Sequence, residues 1–138
     1  MPTAGYSGKT LNQKLGVKPG DVVLAIGAPE HYADLLDPLP DGATITEEAD
    51  GPAIVHAFVR TAAALEILAE DLVSLPLSGG SIWVSWPKKS SPIFVDLTED
   101  GIRRTLLPTG WVDVKVCAVD TDWSGLKFLR RRTGVAKG

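Results

Sequence analysis

Lys88 and Lys89, followed by Ser90 and Ser91, place two ammonium groups and two hydroxyls on one short stretch after Pro87. Such a set binds a phosphate or carboxylate through charge-assisted hydrogen bonds, and Arg60 is a further cation that can join it. The same stretch also reads as a solvated loop. Asp120 and Asp122 can serve as a general-base pair or hold a divalent cation. In Asp120-Thr-Asp-Trp-Ser-Gly125 they equally read as hairpin formers, because Asp side chains bond their own backbone in turns. Trp123 beside them either stacks on a ligand or packs under the turn. His31, next to Glu30, is the better acid–base candidate of the two histidines, yet no partner for it is evident in the sequence. His56 lies in the apolar run Ala53-Ile-Val-His-Ala-Phe-Val59 and reads as a buried histidine with one satisfied hydrogen bond. Cys117, in Lys115-Val-Cys-Ala-Val119, reads as an inert thiol in a strand. Gly8-Lys9-Thr10 ends like a phosphate-binding loop, but Thr3 stands where that motif needs glycine, and no strand fits before it. No catalytic constellation emerges. A single cysteine and the absence of Cys/His clusters exclude an internal disulfide framework and a standard structural zinc site.

These residues need elements to position them. Residues 10–15 carry Leu11 and Leu15 at i, i+4 with Gly16 placed to stop a short helix. Pro19-Gly20 turns into the continuous apolar run 21–27, which suits a central strand covered on both faces. A short helix over 30–36 has Pro29 near its first position, and 43–47 reads as a second strand. Residues 53–59 form a third strand. Thr61 then caps a helix over 62–73 with Leu65, Leu68 and Leu72 on one face. Residues 81–86 are a fourth strand, stopped by Pro87. Asp96 to Leu107 is a helix with Glu99 and Asp100 early and Arg103 and Arg104 late. Strands at 111–119 and 126–131, joined through 120–125, form an antiparallel hairpin. Alternation of strand and helix up to that hairpin predicts a mostly parallel sheet with helices on both faces.

With 138 residues, 44% hydrophobic and 22% charged, the chain has the composition of one α/β domain spanning 1–138 rather than of a disordered segment. No apolar run is long enough to span a bilayer, and the first residues lack the pattern of a signal peptide. The expectation is a cytoplasmic protein with no membrane contact. Residues 1–100 carry a net charge of −8 and residues 101–138 a net of +5. The basic end, including Arg130-Arg131-Arg132, can recruit an anionic partner or simply solubilise outer faces. A pI of about 5.3 argues against generic nucleic-acid binding.

This order of elements resembles the class I S-adenosylmethionine-dependent methyltransferase scaffold, a Rossmann-like sheet closed by an antiparallel hairpin. Three segments carry the likeness: Lys18-Pro-Gly-Asp-Val-Val-Leu-Ala-Ile-Gly27, residues 53–60, and Leu75-Pro-Leu-Ser-Gly-Gly-Ser-Ile-Trp-Val84. More narrowly, the whole chain resembles a small bacterial family of unknown function. Its members share a start like Gly5-Tyr-Ser-Gly8, then Trp86-Pro-Lys-Lys89, and a close like Val114-Lys-Val-Cys117 with Trp123-Ser-Gly-Leu-Lys127. The resemblance implies a sheet ordered 2-1-3-4-6-5 with the sixth strand antiparallel. For a cofactor it implies backbone contacts at Gly27 and Ala28 and ribose contacts from Glu47 or Glu48. The chain departs from that pattern. Ala25 replaces the expected acid, one glycine remains in the loop, Pro29 removes a backbone donor, and one strand–helix unit is missing.

In open α/β sheets ligands lie beyond the carboxyl ends of the strands. That rim gathers residues 27–31, Glu47, Glu48, Arg60, residues 86–91 and residues 120–125, including a tryptophan that reads as exposed. The expectation is a non-catalytic module without a cofactor that binds a small anionic ligand or a protein partner there. Its contacts would be Arg60, Lys88, Lys89, Ser90, Ser91, Asp122 and Trp123. Two alternatives stay open: a methyltransferase with an atypical S-adenosylmethionine loop, and a structural subunit or homo-oligomer assembling through its basic C-terminal strand.

Overall fold

A computed structural model describes residues 10–131. The shared start at residues 5–8, the Gly8-Lys9 pair and Arg132 lie outside them. Helix α1 (Leu11–Leu15) begins at Thr10, whose hydroxyl accepts the Gln13 N–H while the Gln13 side chain accepts the Thr10 N–H. Gly16 ends it at φ 84°. Strand β1 (Val22–Ile26) leads to α2 (Tyr32–Leu36), and β2 (Thr44–Thr46) is followed by β3 (Ile54–Phe58). Helix α3 (Ala62–Ser74) starts at the Thr61 cap, and β4 (Ser81–Pro87) follows. Helix α4 (Glu99–Leu106) starts at Thr98 and runs into a 3₁₀ turn (Leu107–Thr109), and β5 (Trp111–Ala118) and β6 (Trp123–Arg130) close the fold.

The six strands form one sheet in the order β2-β1-β3-β4-β6-β5. Strands β1 to β4 pair in parallel, as the element pattern predicts, and β6 runs antiparallel to both β4 and β5, as the resemblance implies. Side chains of a strand alternate between faces, so the sheet carries two cores. On one, Leu24, Val55, Ala57, Ile82, Val84, Leu126 and Phe128 pack with Leu65 and Leu72 of α3 and Ile102 and Leu106 of α4. On the other, Val23, Ile54, Trp83 and Trp123 pack with Leu11 and Leu15 of α1 and Tyr32 and Leu36 of α2. Each fully buried leucine contributes about 1.5–3 kcal/mol relative to exposure. Asn12, buried in α1, donates to the carbonyls of Leu36 and Pro38 and so fixes α2 against α1.

The hairpin differs from expectation. Strand β6 begins at Trp123 rather than at 126, because Asp120 Oδ1 accepts the N–H groups of both Asp122 and Trp123 and tightens the turn. The helix expected over 96–107 is also shorter, since Thr98 caps it. Among the described residues no helix is long and apolar enough to cross a membrane.

Candidate functional site

In this strand order the chain runs from β1 outward to β2 and then crosses back over β1 to β3, so the topological switch point lies between β1 and β3. A ligand of an open α/β sheet sits at the carboxyl end of that boundary. Gly27, at the end of β1, holds φ 67°, and a Cβ there would stand 3.0 Å from the Phe58 carbonyl oxygen. The loop therefore lies directly on the end of β3. Above it the Phe58 ring meets Trp123 edge-on at 4.9 Å and Tyr32 at 5.4 Å, and all three are buried. Arg60, exposed, stands over the Trp123 ring at 5.8 Å. His31 Nε2 lies 2.8 Å from Asp120 Oδ2, joining the loop after β1 to the β5–β6 turn. Side chains of this chain thus pack at the end of β3 and bridge the loop after β1 to the β5–β6 turn.

Beneath this layer Tyr32 Oη is hydrogen-bonded to His56 Nδ1 at 2.8 Å, and His56 Nε2 to Ser85 Oγ at 2.7 Å. Its apolar neighbours predict one hydrogen bond for His56; it has two, because β4 brings Ser85 level with Phe58, two residues along β3. All three are buried, and burial pushes the imidazole down to about 3 and the Tyr32 phenol above its ordinary range. The chain of bonds resembles a catalytic relay in order alone, and His56 and Ser85 are fully buried.

Farther along the rim a pocket of about 410 Å³ is lined by Trp86, Lys88, Lys89, Leu97, Thr98, Glu99, Asp100 and Ser124. Lys89 is exposed and Lys88 half-buried, while Trp86 and Leu97 give an apolar floor. Glu99 and Asp100 both pair with Arg103, which also donates to Asp113 at 2.8 Å. The other expected anion contacts are engaged elsewhere. Ser91 donates to Asp122 Oδ1 at 2.8 Å, the Lys88 N–H donates to the Asp122 carbonyl, and Ser90 is exposed. The expectation of an exposed tryptophan is corrected: Trp86 and Trp123 are both buried, one beneath the pocket and one against Phe58. In the sequence Thr98, Glu99 and Asp100 are legible only as a helix turn. Nothing local showed that α4 begins beside the lysine loop.

Of the expected cofactor contacts, Gly27 packs on Phe58, Ala28 packs partly buried against the α1–α2 core, and Glu47 and Glu48 are exposed. The two acids line a groove of about 540 Å³ with Leu24, Ile26, Leu68 and Leu75. Among the described residues no group of three His, Cys, Asp or Glu side chains is placed to hold a metal ion.

No family model and no curated protein matches the chain. Solved structures do match its fold. A possible exported protein from Bordetella parapertussis superposes with a TM-score of 0.62 at 11% identity over 88% of this chain, which spans 65% of that protein. A SAM-dependent methyltransferase from Aquifex aeolicus gives 0.64 at 12% identity, covering 86% of each chain. Aeropyrum pernix fibrillarin, solved with natively bound S-adenosyl-L-methionine, gives 0.59 at 15% identity over 87% of this chain and 72% of its own. At these identities the likeness establishes the Rossmann-like methyltransferase fold and nothing finer.

Proposed function

We propose that this chain is a methyltransferase-scaffold module that binds a small carboxylate on its carboxyl rim and does not use S-adenosylmethionine. The observation that carries the reading is the closed end of β1: Gly27 is pressed onto the Phe58 carbonyl, Phe58 packs with Trp123 and Tyr32, and the His31–Asp120 pair ties that loop to the β5–β6 turn. A methionine-bearing cofactor needs open backbone at that position, so these residues do not fit it. The pocket beside Lys88 and Lys89 remains open, with Thr98 and Ser124 to complete hydrogen bonds. Its neighbouring acids Glu99 and Asp100 favour a single negative charge over a dianion.

Thermal unfolding with S-adenosylmethionine or its demethylated product is expected to show no stabilisation. Saturable binding at a hundredfold excess over Kd would add about 2.7 kcal/mol, and that result would overturn the reading. Titration with benzoate, followed by amide chemical shifts, is expected to move residues 88–90 and Ser124. The Lys88→Ala, Lys89→Ala double variant is expected to abolish those shifts.

A further inference from the structure

The opposite end of the sheet holds a second pocket, of about 330 Å³, where β3 and β4 begin and β6 ends. Its walls include Lys18, Lys127, Ser81 and the Gly79-Gly80 turn, with Leu77 and Leu129 at the apolar side. We propose that this pocket binds the phosphate of a small organic phosphomonoester.

Three observations carry the proposal. First, the cations are gathered against their mutual repulsion. Strand β5 has a bulge between Asp113 and Lys115, and this shift sets Lys115 directly opposite Lys127. Asp113 consequently faces α4 and pairs with Arg103, while Lys115 faces α1 and donates to the Lys14 carbonyl. Like charges directly opposite one another destabilise a ladder, and bulges commonly re-aim side chains beside functional sites. Burial, then the charges of Lys115 and Lys18, hold the Lys127 ammonium below its ordinary value. Neither Lys18 nor Lys127 forms an ion pair with a described residue.

Second, Ser81 lines the pocket at 6% exposure, yet its hydroxyl makes no hydrogen bond to any described residue. That hydroxyl is open to the pocket and free to donate to a ligand oxygen. Ser81 shares the α1 face of the sheet with Lys127, whose register partner is Trp83, two residues along β4. Third, the Gly79-Gly80 turn brings bare backbone to the pocket wall. Gly79 has φ 83°, and a Cβ on Gly80 would stand 2.8 Å from the Ala53 carbonyl. Asp21 is the one acid in the lining, and it accepts the Lys18 N–H at 2.9 Å. Two cations face one acid here, against two of each in the pocket beside Glu99 and Asp100, and a dianion is favoured. The volume exceeds that of a bare phosphate, and Leu77 and Leu129 offer an apolar surface to the rest of the molecule.

Titration of the full chain with phenyl phosphate, inorganic phosphate and phenol, followed by amide chemical shifts, tests the site. Phenyl phosphate is expected to saturate with shifts at residues 16–18, 79–81 and 127, to bind more tightly than inorganic phosphate, and phenol to shift none of them. Lys18→Gln and Lys127→Gln are each expected to weaken binding at least about tenfold, the loss of one hydrogen bond to a charged group. Ser81→Ala weakens it several-fold, and Lys88→Ala with Lys89→Ala leaves it unchanged. Unfolding midpoints report whether each variant folds; Lys18 is exposed, so its variant carries the test if Lys127→Gln does not fold. Unchanged affinity in Lys18→Gln, loss in the Lys88/Lys89 variant, or equal binding of inorganic phosphate would overturn the assignment.

Discussion

His56 stands where only a neutral imidazole is tolerated, fully buried between Tyr32 and Ser85 and stacked on Phe58 at 4.3 Å. Its pKa, ordinarily 6.5, falls to about 3 in the folded chain through burial. Above pH 6.5 the residue is neutral in both states, and its contribution to stability is fully present. Below that value the unfolded chain binds a proton that the folded chain refuses. Unfolding free energy is therefore expected to fall by about 1.4 kcal/mol per pH unit until the folded form protonates near pH 3. Asp113, held below its usual range by the Arg103 hydrogen bond, adds a slope of the same sign at lower pH. Urea unfolding of the parent and of His56→Gln between pH 7 and pH 4 isolates the histidine. The two curves should converge in slope above pH 6.5 and diverge below it, and parallel curves throughout would refute the assignment. Burial of His56 was legible in its apolar neighbours. Its second bond was not, because Ser85 belongs to a strand 29 residues away.

Turns and caps decided where most elements begin and end. Thr10, Thr61 and Thr98 each accept a backbone N–H three residues on; Thr61 was legible as a cap in the sequence, whereas the last helix was expected to start at Asp96. The end of β1 is a sterner case. Gly27 is both left-handed and in close approach, whereas Gly20 has φ 81° with no heavy atom within 4 Å of a new Cβ. Gly20→Ala is expected to cost about 1 kcal/mol, from backbone conformation alone. Gly27→Ala should cost about 2–3 kcal/mol, because the methyl also meets the Phe58 carbonyl. Denaturant midpoints of the two variants check the ranking, and equal losses would mean that the loop can lift off β3. The early start of β6 was hidden for a related reason. Asp120 and Asp122 were readable as turn formers, but only the folded hairpin shows that Asp120 accepts two turn N–H groups while Asp122 accepts the Ser91 hydroxyl.

Over the whole molecule, both sheet edges are poor templates for a further strand. Strand β2 is three residues long, and β5 is interrupted by its bulge and carries exposed Lys115 at the centre. The chain is therefore expected to sediment as a monomer at high micromolar concentration. A dimer there would point to the exposed Val114 and Val116 and revive assembly through the basic end. The sequence by itself determined the order of elements, the parallel sheet with its closing hairpin, and the two apolar faces. Those properties follow from periodicity, capping and turn residues, which act between neighbours a few positions apart. Tertiary structure decided what the surface can bind. The His31–Asp120 bridge joins residues 89 apart, Ser91 reaches Asp122 across 31, and one bulge turns Lys115 toward Lys127. Such contacts depend on strand register and on which face a side chain takes. A single-residue shift changes both while leaving the hydrophobic pattern of the sequence as it was.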